Sequence, residues 1–308
     1  MLSINRMKSK KTAPLYNNKE VRTAYLFLMP TIVLFSLFVL IPIVWVGYLS
    51  FTKYNIITPA KFIEWKNWMR LFSDKRLWTV MKNTAKFVLL LTPMHIVMGI
   101  LLAVAVNAVK SKRLVYLFRT VYYFPTLVAT SAIAMAWTFI FSKDLGMLNY
   151  YLTLIGIEKI PWMSSSFWVY PGVMIFSLWK FVGIYFLYFF IGIQNIDKGL
   201  FDAAEIDGAN SWNKLRHITL PMLSPTIFFV LTTMLIGTIQ IFDEPYLLTR
   251  GGPGDSSRTL SLYIYETAYV SQNYGYASAI SLMLLVIILI ITFLQFKGSN
   301  LWVKYDRE

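Results

Sequence analysis

The sequence contains no cysteine and little charge for its length. The absence of cysteine from all 308 residues excludes disulfide frameworks, thiolate metal sites and cysteine nucleophiles. Only two histidines, His95 and His217, are present, so we expect no zinc site and no other metal site. Charged residues make up 14% of the chain, against about 25% in soluble domains. These deficits argue against an ordinary soluble protein, and a hydrophobic content of 57% excludes disorder.

Long apolar runs take up much of the chain. A bilayer core of about 30 Å needs about 20 apolar residues in a helix, and six stretches meet that length. None contains Asp or Glu, and Lys180 is their one basic residue. Because unpaired backbone groups cost several kcal/mol in hydrocarbon, we predict an all-α integral membrane protein with six transmembrane helices. The predicted spans are Ala24–Leu49, Phe87–Val106, Tyr122–Phe141, Val173–Ile193, Pro221–Phe242 and Ala277–Phe296.

The net charge of +14 is explained by Lys and Arg in the loops, so we expect no nucleic-acid partner. The distribution of these residues favours cytoplasmic N- and C-termini, with residues 107–121 and 194–220 also inside. The outside segment 50–86 departs from this rule because it is strongly basic. It is open to three interpretations: contact with an acidic face of a binding protein, preference for an acidic saccharide, or a solvated loop with membrane-anchoring aromatics.

The spans divide the chain into a cytoplasmic N-terminal tail (1–23), a six-helix transmembrane domain (24–297) and a cytoplasmic C-terminal tail (298–308). The first span should be retained, because it is longer than the apolar core of about 7–15 residues in a cleaved signal peptide. Within the transmembrane domain, the cytoplasmic loop 194–221 separates the fourth and fifth spans.

That loop is predicted to form two short helices. Residues 200–204 place apolar side chains at helical spacing, and Gly208 ends the first helix because glycine readily enters the left-handed conformation. Ser211 is the expected N-cap of the second helix, and Pro221 suits the first turn of the fifth span. Taken alone, this pattern also fits an amphipathic hairpin lying on lipid headgroups.

The spacing of seven residues in this loop resembles the EAA motif of ABC importer permeases. The motif begins with an acidic residue and two alanines, and a glycine follows after three residues of any type. After nine more residues of any type come isoleucine, one residue of any type, leucine and proline. This sequence has Asp where the motif usually has Glu. The matching residues are Asp202, Ala203, Ala204, Gly208, Ile218, Leu220 and Pro221. A second stretch, residues 248–254, is similar to the carbohydrate-uptake branch of these permeases, of the maltose-transporter first-subunit type; alone, it would indicate a Gly/Pro turn.

The resemblance implies a type I ABC importer permease in the bacterial cell membrane, a multi-pass transport subunit and not an enzyme. Such a subunit translocates a sugar or oligosaccharide delivered by an extracytoplasmic solute-binding protein. The implied partners are a second related permease and an ABC ATPase dimer, which would hold ATP and Mg²⁺. This chain itself would need no cofactor and no catalytic residue, and without a Gly-Lys dipeptide it has no P-loop.

The resemblance also assigns roles to particular residues. Segment 200–220 would couple the permease to the ATPase, with small side chains allowing close docking and Asp202 making a charge-assisted hydrogen bond. The outer turn Gly251, Gly252 and Pro253 would contact the binding protein.

Polar residues within the spans are candidates for the substrate path. Thr126 and Thr130 are expected one helical turn apart, and Lys180 is singled out because buried charge in a membrane is usually functional. The alternatives are hydrogen bonds of Ser and Thr to helix backbones and snorkelling of Lys180 toward the outer headgroups. The candidates are Thr126, Thr130, Ser177, Lys180, Tyr185, Thr238 and Gln240.

Three other functions deserve comparison. A permease for a phosphorylated polyol such as glycerol phosphate differs only in substrate. An ion-coupled secondary transporter typically needs a carboxylate within its spans, and the six stretches have none. A membrane enzyme needs a nucleophile elbow or paired intramembrane carboxylates, and neither pattern is evident.

Overall fold

A computed structural model describes residues 18–304, so parts of both predicted tails, 1–17 and 305–308, lie outside the described residues. The α-helices in chain order are α1 (Asn18–Phe35), α2 (Ile41–Leu49), α3 (Lys66–Ser73), α4 (Lys75–Asn107), α5 (Lys112–Leu127), α6 (Thr130–Ile140), α7 (Met147–Leu154), α8 (Val169–Gln194), α9 (Lys198–Ile206), α10 (Ser211–Lys214), α11 (Leu220–Met222), α12 (Ser224–Ile239), α13 (Asp243–Thr249), α14 (Leu260–Tyr265) and α15 (Tyr274–Ser299). Further π-helical turns cover Ser36–Leu40, Leu215–Thr219 and Glu266–Val270. Strands β1 (Thr52–Lys53) and β2 (Lys61–Phe62) pair in an antiparallel hairpin.

The helical membrane architecture predicted from the apolar runs is confirmed, with four to six candidate spans. Within residues 18–304, four helical segments are long and apolar enough to cross a bilayer, and two bent helix pairs meet the same test if each pair counts as one span. The four segments are Val21–Leu49, Lys75–Asn107, Val169–Gln194 and Tyr274–Ser299. The bent pairs correspond to the predicted third and fifth spans.

The predicted third span is broken into two helices. Helices α5 and α6 meet at 97° across Val128 and Ala129. Pro125 lies just before the break and has no N–H for the helix ladder. The break also separates Thr126 from Thr130, so the expectation that they lie one turn apart on one helix is wrong.

The predicted fifth span is bent by 62° near Leu223. Pro221 therefore lies in the short α11, before the bend, and is not in the first turn of the long apolar helix. A second proline, Pro225, follows the bend and cannot donate to the Pro221 carbonyl. The hydroxyl of Ser224 donates to that carbonyl at 2.7 Å, and the backbone N–H of Lys304 donates to Ser224 Oγ at 2.8 Å.

The core lies where α8 packs against α4 and α5, and where α12 packs against α4. The approach of α5 to α8 is close enough to require glycine at Gly183, where an added Cβ would lie 1.9 Å from the Tyr122 carbonyl oxygen. By contrast, the Val21–Leu49 segment is exposed along its apolar window and contacts the rest of the chain through α2 against α15. This surface needs lipid or another chain around it.

The basic segment 50–86 is folded and not a loop, although many of its side chains are exposed as the solvated interpretation expects. It forms the β-hairpin, α3 and the first turns of α4. Asp74 caps α4 by accepting from the Arg76 and Leu77 amides at 3.0 and 3.1 Å, and both Tyr263 and Tyr276 donate their hydroxyls to it at 2.7 Å. Burial works toward a higher pKa for Asp74, but these hydrogen bonds outweigh it and lower the pKa.

Candidate functional site

A cavity of about 340 Å³ opens between α4, α8, α12 and the start of α13. Four of the substrate-path residues predicted from sequence lie in its wall together. These are Ser177 and Tyr185 from α8, Thr238 from α12, and Gln240, which follows α12. The full lining is Leu91, His95, Ser177, Phe181, Tyr185, Met234, Gly237, Thr238, Gln240, Ile241, Phe242, Asp243 and Glu244.

The polar groups of these four residues are available to a ligand. Among the described residues, no hydrogen-bond partner is found for the hydroxyls of Ser177, Tyr185 and Thr238 or for the side-chain amide of Gln240. The alternative is that the Ser and Thr hydroxyls bond to helix backbones. Ser177 and Thr238 do not form such bonds to described residues. Three aromatic rings, from Phe181, Tyr185 and Phe242, line the same space.

His95 is a cavity residue that the sequence analysis did not select. It is 1% exposed on α4, and its Nδ1 lies 2.9 Å from the Leu91 carbonyl oxygen while its Nε2 lies 3.1 Å from that of Ser177. Its ring meets the Tyr185 ring edge-on at a centroid distance of 5.3 Å. His95 therefore joins α4 to α8 and orients Tyr185 toward the cavity.

Asp243 and Glu244 are two further lining residues that sequence reasoning missed. They begin α13, directly after the apolar run, and Glu244 is 7% exposed. Burial raises the pKa of Glu244 to about 7, and the neighbouring Asp243 charge adds to the rise. The described lining includes no lysine or arginine, so the cavity is neutral to negative.

Lys180 does not snorkel, and it does not line the cavity. It is 2% exposed, and its ammonium donates to the Val128 carbonyl at 2.8 Å, at the break between α5 and α6. Thr126 completes the arrangement by donating its hydroxyl to the Lys180 carbonyl at 2.8 Å. Lys180 thus satisfies a carbonyl that the break leaves without a helical partner, and Thr126 ties the end of α5 to α8. Thr130 begins α6 on the other side of the break.

The two short helices predicted before the fifth span are present as α9 and α10. Gly208 follows the first helix with φ +75°, and the Ala209 amide donates to the Ala204 carbonyl at 2.8 Å, so the predicted helix stop is confirmed. The second helix begins at Ser211, but its N-cap is Asn210, whose side chain accepts from the Asn213 amide at 2.8 Å. The cap predicted at Ser211 is therefore one residue off, because Asn at the preceding position accepts equally well.

The motif residues fall into an exposed half and a packed half. No residue of α9 is buried; Asp202 and Ala203 are exposed, and Ile206 is 88% exposed. In the second half, Ile218 packs against the buried cluster that includes Ile193 and Leu223. The segment thus presents a largely exposed helix, which contacts the core through Phe201, and a second half that packs into the transmembrane core.

The outer turn Gly251, Gly252 and Pro253 is tightly held. Gly251 is buried with φ +81°, and its amide donates to the Pro245 carbonyl at 3.0 Å. The Ser257 hydroxyl donates to the Gly252 carbonyl at 2.8 Å. A rigid turn of this kind presents a fixed surface, and its predicted contact with a binding protein stays a prediction.

Comparisons with known proteins agree on one family. The family described as "Binding-protein-dependent transport system inner membrane component" matches residues 95–296. The lactose transport system permease protein LacF of Rhizobium radiobacter is 36% identical, covering 90% of this chain and 93% of LacF. The arabinooligosaccharides transport system permease protein AraP of Bacillus subtilis (strain 168) is 31% identical, covering 95% and 90%. A crystal structure of a bacterial ABC transporter that imports the acidic polysaccharide alginate matches with a TM-score of 0.82 and 26% identity, covering 93% of this chain and 98% of that one.

Proposed function

This chain belongs to the family of inner membrane components of binding-protein-dependent transport systems, and from that premise we propose that it translocates a neutral sugar or oligosaccharide. It is a multi-pass transport subunit of an ABC importer and not an enzyme. The observation that most supports a sugar is the cavity, where three hydroxyls and one amide without internal partners surround aromatic walls. Such groups match a polyol, which needs hydrogen bonds around its hydroxyls and apolar faces against its ring.

The cavity also bears on the charge of the substrate. A phosphorylated polyol such as glycerol phosphate would meet Asp243 and Glu244 with no lining lysine or arginine to balance them. Burying an unpaired anion is strongly unfavourable. The lining therefore favours a neutral substrate over a phosphorylated one.

Transport assays test the sugar assignment. The full transporter, reconstituted in vesicles with its binding protein, should take up a neutral oligosaccharide and not glycerol phosphate. Thr238→Val and Gln240→Leu should each slow uptake by ~3–10-fold, the value of one or two neutral hydrogen bonds. Thr233→Val is the matched control, because Thr233 lies exposed on the same helix and bonds only to its own turn. Unchanged uptake in both cavity variants would exclude this cavity as the sugar path.

Coupling to separate ATPase subunits, which would bind ATP and Mg²⁺, is proposed for the 200–220 segment. In this proposal the exposed α9 seats in a groove of an ATPase, in the way amphipathic helices dock elsewhere. A second, related permease would cover part of the exposed apolar surface, and the outer turn Gly251–Pro253 would face the extracytoplasmic binding protein. The anchored residues Ile218, Leu220 and Pro221 would pass the movement of α9 toward α12.

This proposal requires the termini and α9 to be cytoplasmic. The absence of native cysteine makes single-cysteine labelling direct. An impermeant maleimide applied to intact spheroplasts should modify Asp144→Cys, on the 141–146 turn, and should reach Lys110→Cys only after permeabilisation. Both residues are exposed, so accessibility in the folded chain is matched, and the reverse labelling pattern would overturn the orientation and the coupling role together.

A further inference from the structure

A second cavity, of about 400 Å³, lies where α4 ends and α5 begins, beside the end of α8. Three cations line it: Lys110, Lys112 and Arg119. None of the three forms an ion pair with a described acid, and no acidic residue lies in the described lining.

The rest of the lining favours a ligand with both an anionic and a hydroxylated part. The Arg119 guanidinium lies over the Phe190 ring, 5.6 Å from its centroid, which holds its donors at the cavity wall. The side-chain amides of Asn107 and Gln194 have no hydrogen-bond partner among the described residues. Cations suit a phosphate group, and free amides suit hydroxyls beside it.

An apolar path leads away from the cavity along α4. Residues at four-residue spacing form a ridge on a helix surface, and Val97, Leu101 and Ala105 are all exposed at that spacing. Helix α4 ends at Asn107, two residues after Ala105, and Val106, Asn107 and Val109 lie in the cavity wall. An exposed apolar ridge that ends at a basic cavity matches an acyl chain attached to a phosphate headgroup.

We propose that this cavity binds the phosphate group of an anionic phospholipid, with an acyl chain along the α4 ridge. The three unpaired cations favour a headgroup with a net negative charge and a diol, such as phosphatidylglycerol, over a zwitterionic one, whose ammonium would lie among like charges. In the orientation proposed above, the cavity faces the cytoplasmic leaflet, whose anionic lipids attract basic segments near the membrane surface. The cavity also adjoins the 194–221 loop, since Gln194 in its lining is the last residue of α8 and the first of that loop.

Native mass spectrometry of the assembled transporter tests the site. The complex is released from nanodiscs containing phosphatidylglycerol and phosphatidylcholine, and the retained lipids are counted over a titration of phosphatidylglycerol. The double variant Lys112→Gln/Arg119→Gln should bind phosphatidylglycerol ~10–30-fold more weakly, as expected for two lost cation contacts. Lys143→Gln, an exposed lysine outside the cavity, is the control for changed charge and should leave retention unchanged.

A parallel arm separates the lipid from free phosphate. Inorganic phosphate at millimolar concentration should not displace phosphatidylglycerol, because it has no chain to lie on the α4 ridge. Displacement by phosphate would assign the cavity to a soluble anion and overturn the lipid proposal. Equal retention of phosphatidylglycerol by the double variant and the wild type, or equal retention of phosphatidylcholine, would overturn it as well.

Discussion

Replacing Gly183 with alanine tests whether the contact between α5 and α8 is as close as the structure requires. An added Cβ would lie 1.9 Å from the Tyr122 carbonyl oxygen, 2.4 Å from its carbonyl carbon and 2.8 Å from Tyr123 Cα. These are backbone atoms, which cannot rotate away as a side chain does. Because real Cβ contacts below 3.0 Å essentially never occur, the two helices have to separate by about 1 Å.

The expected loss of folding stability in Gly183→Ala has two sources: overpacking between α5 and α8, and strain on the hydrogen bonds next to this contact. Forcing extra volume into a packed core costs ~1–3 kcal/mol. Separation of α5 from α8 also strains the hydrogen bonds that join Lys180 to Val128 and to Thr126. Strain on these two hydrogen bonds, worth ~0.5–1.5 kcal/mol each, offsets the ~1 kcal/mol that alanine gains over glycine in a helix interior. We therefore expect a net destabilisation of ~1–3 kcal/mol for Gly183→Ala.

Gly47→Ala is the matched control, because Gly47 lies in α2 and an added Cβ there meets nothing within 4 Å. The Gly47→Ala substitution gains the same helix propensity as Gly183→Ala, but its added Cβ does not clash with another helix. The assay compares thermal unfolding midpoints of the purified transporter at one scan rate, followed by intrinsic fluorescence. Gly183→Ala should unfold below the wild type and Gly47→Ala at or above it. A midpoint for Gly183→Ala equal to that of Gly47→Ala would refute the close packing of α5 on α8.

Three further substitutions extend the test to other regions. Gly208→Asp should abolish substrate-stimulated ATP hydrolysis by the complex, because φ there is +75° and an added carboxylate would hinder docking of α9; unchanged hydrolysis and uptake would contradict the coupling role. Asp74→Asn should lower the thermal midpoint at pH 7, and the gap to the wild type should close as the pH falls below ~4, because a carboxyl with a lowered pKa stabilises the fold only while ionised. Glu244→Gln should raise the midpoint at pH 8 and leave it unchanged near pH 4, since burial raises the pKa of Glu244 to about 7 and folding therefore disfavours the ionised form; an equal effect at both pH values would rule out titration of this carboxyl.

Features set by local sequence were predicted well. The end of α9 was located from Gly208 because a left-handed residue is a local requirement that glycine meets without strain. The N-cap of α10 was placed one residue late, at Ser211, because Asn210 and Ser211 are both good caps and only the backbone register distinguishes them. The apolar runs located the spans for the same reason, since helix formation in hydrocarbon depends on length and composition alone.

Features set by contacts between distant residues were missed. Pro125 indicates a distortion near Val128 but not a 97° break, because the group that satisfies the Val128 carbonyl is Lys180, 52 residues away. Asp243 and Glu244 had a usable signal, two acids directly after an apolar run. The predicted span ends at Phe242, directly before them, and a linear span boundary does not show that the chain turns back beside α8.

The two helix distortions are stabilised in the same way, and one of them lies between the proposed coupling segment and the cavity. Each has a proline and a side chain that takes over a freed carbonyl: Lys180 at the Val128 break, and Ser224 at the Pro221 bend. Irregular backbone at membrane depth persists only where its polar groups are satisfied within the protein, so both distortions are fixed in shape. Helix α12 starts at the Pro221 bend, and its length of 16 residues corresponds to about 24 Å. Thr238 and Gln240 lie at its far end, so a displacement that enters at the coupling segment would move the polar wall of the cavity directly.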